Sequence, residues 1–178
     1  MRKISVAQLK EINSYRGRYA LLIGGVVLTL FLVIFLSGTS TSPILKSVSS
    51  AVAFPVYYPD PSRLPAGYTL NTSTIEVVKP GVVILNVSVP GRKQNIVFSE
   101  EVKPSLATIN SFLADYIPLH VSFNSPFGSA NVGAYNDGNG IRSVISLPIN
   151  NGPWIIATAP GNVSNSIFES IVNTLVKN

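Results

Sequence analysis

Residues 82–89 read VVILNVSV, and the alternation within them decides the fold. Val83, Leu85, Val87 and Val89 fall on one side of an extended chain, with Asn86 and Ser88 on the other. That is the period-two pattern of a strand that packs one face and wets the other. Lys79-Pro80-Gly81 before it and Pro90-Gly91-Arg92-Lys93 after it are turn signals, so residues 75–78 and 95–101 are expected as its antiparallel neighbours. Pro104 then opens a helix expected to reach residue 116, with Leu106, Ile109, Phe112, Leu113 and Tyr116 on one stripe and Pro118 beyond its end.

The second half repeats this grammar. Residues 129–135, 141–147 and 154–159 are expected as strands, separated by the turns Asp137-Gly138-Asn139-Gly140 and Asn150-Asn151-Gly152-Pro153, with residues 119–123 as a short extra strand. Ile167, Phe168, Ile171, Val172, Leu175 and Val176 then recur at helical spacing, and Ser166 with Glu169 matches a capping box. The expected fold class is α+β: an N-terminal transmembrane helix followed by a mostly antiparallel sheet with helices packed on one face, β-β-β-α twice.

Working back toward the N-terminus, residues 54–68 (FPVYYPDPSRLPAGY) carry Pro55, Pro59, Pro61 and Pro65, which keep the chain extended. They are expected to form an ordered strap laid along the domain by Phe54, Val56, Tyr58, Leu64 and Tyr68. Residues 37–52 hold eight Ser or Thr in sixteen positions, the composition of a flexible spacer. Before that, residues 19–36 (YALLIGGVVLTLFLVIFL) contain no charge, and 18 helical residues span roughly 27 Å, enough to cross a bilayer. The expected organisation is a basic cytoplasmic tail at 1–18, a transmembrane helix at 19–36, a Ser/Thr-rich linker at 37–52 and an extracytoplasmic α+β domain at 53–178.

Charge supports that division. The chain carries +5, yet residues 1–18 alone hold Arg2, Lys3, Lys10, Arg16 and Arg18 against Glu11, leaving the remainder close to neutral. Basic residues on the near side of an apolar helix place that side in the cytoplasm, so the localisation expected is a single-pass protein of the cell membrane with its domain outside. A cleaved signal peptide fits less well, because the apolar core is long and the small-residue site Ala51-Val52-Ala53 lies too far beyond it. A pilin-like start would need a glutamate within the apolar run, and there is none. A near-neutral domain with no basic face argues against nucleic acid as a partner. Absence of cysteine removes disulfides, thiolate metal sites and cysteine nucleophiles, and favours a bacterial or archaeal source over a secreted animal module.

No side chain is marked for catalysis. His120, the single histidine, has no nucleophile motif near it, and neither Asp115 nor Asp137 stands at metal-ligand spacing from it. The YNDGNG segment around Asp137 lacks the further acids and closing glutamate of a calcium loop and reads as a hairpin turn. Glu100 and Glu101 point to opposite faces of a strand and read as a solvated strand end. Asn71, Asn86 and Asn162 begin sequons, at a number expected by chance. Trp154, Tyr57 and Tyr58 are the candidate ligand contacts, since aromatic groups at strand starts and in straps line grooves. No catalytic residue, metal or cofactor is expected.

Leu64-Pro65-Ala66-Gly67-Tyr68, directly after the proline-rich entry, resembles the L-P-x-G-Y entry of membrane-anchored bacterial extracytoplasmic domains of the anti-sigma-factor-like and lipoprotein-sorting-like kind. The tryptophan-containing strand, turn and amphipathic helix at the end are similar too, although the 18-residue tail is too short for a sigma-binding domain. The resemblance implies a curved sheet with helices on its concave side and a binding or sensing role. Together these expectations describe a non-enzymatic, membrane-anchored extracytoplasmic binding or sensing module, with the lipid bilayer and a protein or envelope polymer as partners. The alternative is a structural subunit of a cell-envelope or secretion complex.

Overall fold

The computed structural model describes residues 46–178, except Pro80, Asp137, Asn139 and Asn162 and the side chain of Lys79. The tail, the expected transmembrane segment and residues 37–45 of the spacer lie outside the described residues. Among the described residues no helix is long and apolar enough to cross a membrane.

The architecture is mainly antiparallel sheet with a few helices. In chain order the elements are α1 (Lys46–Ser50), β1 (Tyr57–Pro59), β2 (Thr69–Lys79), β3 (Val82–Ser88), β4 (Asn95–Val102), α2 (Leu106–Tyr116), β5 (His120–Ser125), β6 (Gly128–Asn136), β7 (Ile141–Pro148), β8 (Pro153–Pro160), α3 (Asn165–Val172) and β9 (Leu175–Lys177). Seven strands form one sheet in the order β2-β3-β4-β8-β7-β6-β5, and β1 pairs with β9 in a separate two-stranded ribbon. Every pairing is antiparallel.

The alternation in β3 places Val83, Leu85 and Val87 on the inner face, each with no exposed surface. Register carries that face across the sheet: Leu85 faces Phe98, Phe98 faces Ala157, Ala157 faces Ile145, and Ile145 faces Val132. The main core forms where α3 and the strap close over this face, with Phe168, Ile171, Val172, Val56, Tyr57, Tyr58 and Leu175 in one cluster with the strand residues. Burying one such aliphatic or aromatic side chain contributes about 1.5–3 kcal/mol.

The two larger helices do not share a face, which corrects the expectation of helices packed on one side. Trp154 pairs with Glu101 and Pro148 on the face opposite Ile155, and the Phe112 ring of α2 meets its indole edge-on at 5.1 Å. Ile109 and Ile117 are buried on this outer side, where Gly133 makes room: a Cβ there would stand 2.9 Å from Ile117 Cβ. The sheet is therefore covered by α3 and the strap on one face and by α2 on part of the other.

Three boundaries also differ from the sequence pattern. The spacer gives way earlier than its composition predicts, because Val48 of α1 is buried in the main core and Ser49 Oγ accepts from Asn178 Nδ2. The last helix ends at Val172 rather than running through Val176. Asn173 and Thr174 close its final turn onto Glu169 and Ile171, and Leu175 and Val176 enter β9, where β1 supplies backbone partners. Its N-cap is Ser164, whose hydroxyl accepts from the Ile167 amide at 3.4 Å, and not Ser166. Four strands, β5 to β8, precede this helix; β5 lies where a short extra strand was expected at 119–123 and runs from His120 to Ser125.

Candidate functional site

The strap is fastened to the sheet at one buried carboxyl. Glu100 stands on the inner face of β4 with Val83 and Ile155 as its lateral neighbours, and it has no exposed surface. Both its oxygens accept the backbone N–H of Tyr57, at 3.1 and 3.0 Å. Burial raises its pKa well above the ordinary carboxylate range, and the Tyr57 amide only partly opposes that. The solvated strand end expected for the Glu100 and Glu101 pair is thus corrected for Glu100. It shares the inward parity of Ile96 and Phe98, whereas Glu101 faces the other way.

Tyr57 and Tyr58 are both buried, their strand held by pairing with β9. The Tyr57 ring packs edge-on against Phe127 with centroids 5.1 Å apart. Burial, and secondarily the neighbouring Glu100, pushes its phenol above the usual tyrosine range. Both tyrosines therefore act in the core and not as open ligand platforms.

Beside this fastening lies an open cleft of about 340 Å³ lined by Ala53, Phe54, Pro55, Val102, Lys103, Asn151 and Gly152. The strap supplies one wall, the end of β4 the second, and the β7–β8 turn the third. That turn is tight. Asn151 adopts φ +54°, a left-handed conformation that asparagine tolerates better than most residues, and a Cβ on Gly152 would run into Ile149. The Ile149 carbonyl accepts both the Gly152 amide at 3.3 Å and Lys103 Nζ at 3.0 Å. Lys103 is the cleft's charged lining residue, and that bond uses one of the three donors of its ammonium group.

Trp154 is on the other face of the sheet, away from the tyrosines. It is buried, and its Nε1 donates to Ser146 Oγ at 2.9 Å, satisfying a hydroxyl that has no exposed surface. Phe112, Tyr116 and Tyr135 continue the aromatic contacts outward from it. The three sequence candidates are thus split between two places, and none lines the cleft.

The remaining residues singled out by sequence occupy ordinary structural positions. His120 is exposed at the start of β5, with Nδ1 donating to the Ile117 carbonyl at 2.9 Å. Asp115 accepts from Ser111 Oγ, and Asp137 is outside the described residues. Among the described residues no three His, Asp or Glu side chains gather into a metal cluster. Asn136 and Ile141 pair across the YNDGNG turn, and the Gly138 amide donates to Asn136 Oδ1 at 3.0 Å. Asn71 and Asn86 face each other across β2 and β3, while Asn162 lies outside the described residues. In the L-P-x-G-Y segment, Tyr68 N donates to the Pro65 carbonyl, and Gly67 at φ +82° leaves space that Pro90 fills. This is a tight turn that aims the chain into β2.

Sequence reasoning missed Glu100, Lys103 and the Asn151-Gly152 turn as site residues. For Glu100 the signal was available in its parity; Lys103 and the turn meet only through the pairing of β4 with β8. No family model matches the chain, and no curated protein or solved structure is similar to it at a significant level.

Proposed function

We propose that this chain is a single-pass, membrane-anchored extracytoplasmic binding or sensing module without enzymatic activity. Its basic tail lies in the cytoplasm, residues 19–36 cross the bilayer, and the cleft between strap and sheet contacts a partner protein, an envelope polymer or an apolar ligand. The observation that carries the binding role is the cleft itself. Its walls of Phe54, Pro55 and Val102 are apolar, and a single ammonium group stands among them, the mixture by which small sites hold and orient a ligand. The Tyr57–Glu100 fastening supports it further, because it fixes the strap wall in position. The topology rests on the charge asymmetry about residues 19–36. The L-P-x-G-Y resemblance points to the same class of protein.

Two experiments test this reading. Protease added outside intact cells is expected to degrade the domain while sparing the tail, and protection of the domain overturns the topology. Mass spectrometry of the purified full chain is expected to detect a co-purified ligand that Phe54→Ser or Lys103→Ala removes. Retention of that ligand by both variants overturns the role of the cleft.

A further inference from the structure

The two edges of the seven-stranded sheet are built differently. An exposed edge strand offers unpaired N–H and C=O groups to any other strand, and folded proteins normally blunt such edges with bulges, charges or local side-chain bonds. Edge strand β2 has all three. Its register with β3 shifts between Asn71 and Glu76 and again between Val77 and Lys79. Asn71 captures the Ser73 amide at 3.3 Å and the Ser73 hydroxyl at 2.7 Å, and its own carbonyl accepts from Thr74 Oγ1. Glu76 is exposed.

Edge strand β5 has neither bulge nor acid nor lysine, and its side-chain bonds, from Ser122 to Asn131 and from Ser125 to the Gly128 carbonyl, run to β6 and leave its own edge backbone uncovered. Its six residues, HVSFNS, pair with β6 without a break from His120–Gly133 to Ser125–Gly128, and they include no proline, lysine or acid. Among the described residues its other side has no strand partner. Val121 is 65% exposed and Leu119, just before the strand, 92% exposed, so apolar surface accompanies the open edge.

We propose that β5 is a self-association edge, pairing antiparallel with β5 of a second copy of this chain about a two-fold axis through Ser122. Parity limits the register, and an axis through Ser122 pairs the strand over most of its length. A two-fold axis perpendicular to a sheet keeps each residue on its own face, so a β5 residue can meet only residues of the same parity in the other copy. With Ser122 opposite Ser122 of the second copy, Val121 meets Phe123, and His120 meets Asn124. Apolar faces apolar on the inner side of the sheet, where Phe123 already packs against the main core, and polar faces polar on the outer side. No acid or lysine lies on this strand, so no register of two β5 strands opposes like charges. Backbone hydrogen bonds then join the two sheets into one of fourteen strands, without using the cleft.

The absence of cysteine makes the test direct. Single-cysteine variants Ser122→Cys and Thr72→Cys, one on each edge, are made in the full chain, purified in mild detergent and oxidised with copper phenanthroline. Directly opposed residues of an antiparallel pair have Cα atoms about 4.5–5.5 Å apart, within the span of a disulfide. Ser122→Cys is expected to form disulfide-linked dimer about tenfold faster than Thr72→Cys, and adding Val121→Lys is expected to abolish that advantage. Val121 is largely exposed, so an unchanged circular dichroism spectrum verifies that the lysine variant is folded. Equal rates for the two edges, or a rate untouched by Val121→Lys in the folded variant, overturn the proposal.

Discussion

Replacing Glu100 by glutamine should leave stability nearly unchanged at acid pH and remove one proton's worth of its decline as pH rises. The carboxyl has no exposed surface, and burial raises its folded-state pKa well above the ordinary carboxylate range. In the unfolded chain it titrates normally, near 4.3. Below that range both states hold the proton, and the contribution of Glu100 is fully present and constant. Above it the unfolded state releases a proton that the folded state keeps, so stability falls as pH rises, until the folded pKa is passed. Within that window the slope is that of one proton, about 1.4 kcal/mol per pH unit. Glutamine is nearly isosteric with the protonated acid and can still accept the Tyr57 amide, but it does not titrate. Urea unfolding of the wild-type chain and Glu100→Gln, followed by circular dichroism from pH 4 to 9, should give curves that meet at the acid end. They should then diverge by about 1.4 kcal/mol per unit, with glutamine the more stable. Titrating groups that do not interact with Glu100 cancel in the difference. A difference independent of pH refutes the reasoning, because it would mean that the Tyr57 amide holds the ionised form well enough to offset its burial. Glu100→Ala supplies the contrast: it leaves the Tyr57 N–H without its acceptor and should cost stability at the acid end, a deficit that shrinks with the same slope as pH rises because alanine does not titrate either.

Trp154→Phe and Gly133→Ala test the outer face, each against a control substitution. Trp154→Phe keeps the ring that packs against Phe112 but removes the donor to the buried Ser146 hydroxyl, and should lower the unfolding free energy in urea by about 1–3 kcal/mol. Adding Ser146→Ala should recover much of that loss, since both halves of the bond are then gone. Gly133→Ala should cost about 1–3 kcal/mol by driving a methyl group into Ile117 and the Leu119 carbonyl, whereas Gly138→Ala, with open space around it, should show only the smaller strain of its φ of +84° in the same assay.

Most strands were legible because alternation is a local signal. Val83, Leu85 and Val87 point inward whichever strand lies beside them, and Gly- and Pro-containing turns separate one run from the next. The last helix was legible only in part. Leu175 continues the spacing of Phe168 and Ile171, yet it reaches the core as a strand residue, since the backbone partners it finds on β1 lie more than a hundred positions away. The cleft was not legible at all. Lys103, Asn151 and Phe54 become neighbours through the pairing of β4 with β8 and the path of the strap, and neither is encoded near those residues.

Which face α2 covers illustrates the same limit, but here the sequence did hold a clue. An amphipathic stripe such as Ile109, Phe112 and Leu113 says that a helix packs against something, not on which side of a sheet that surface lies. The clue is in the strands. β8 reads PWIIATAP and is buried or half-buried at every position, whereas β3 alternates strictly between buried and half-buried. Near-continuous apolar character marks a strand covered on both faces. Ile155, Ala157 and Ala159 are taken by the main core, so Trp154 and Ile156, of opposite parity, require a second cover, and the helix directly upstream in the chain is α2. The opposite faces taken by α2 and α3 also bear on whether the halves are a duplication. β4 and β8, the last strands of the two meanders, pair antiparallel at the centre of the sheet, as a two-fold axis through it would require. Such an axis stands perpendicular to the sheet and keeps each element on its own face, so it would require α2 and α3 to lie on the same one. The helices instead take opposite faces, so the repeated order of elements follows from how meanders and helices alternate, and not from a symmetric pair of units.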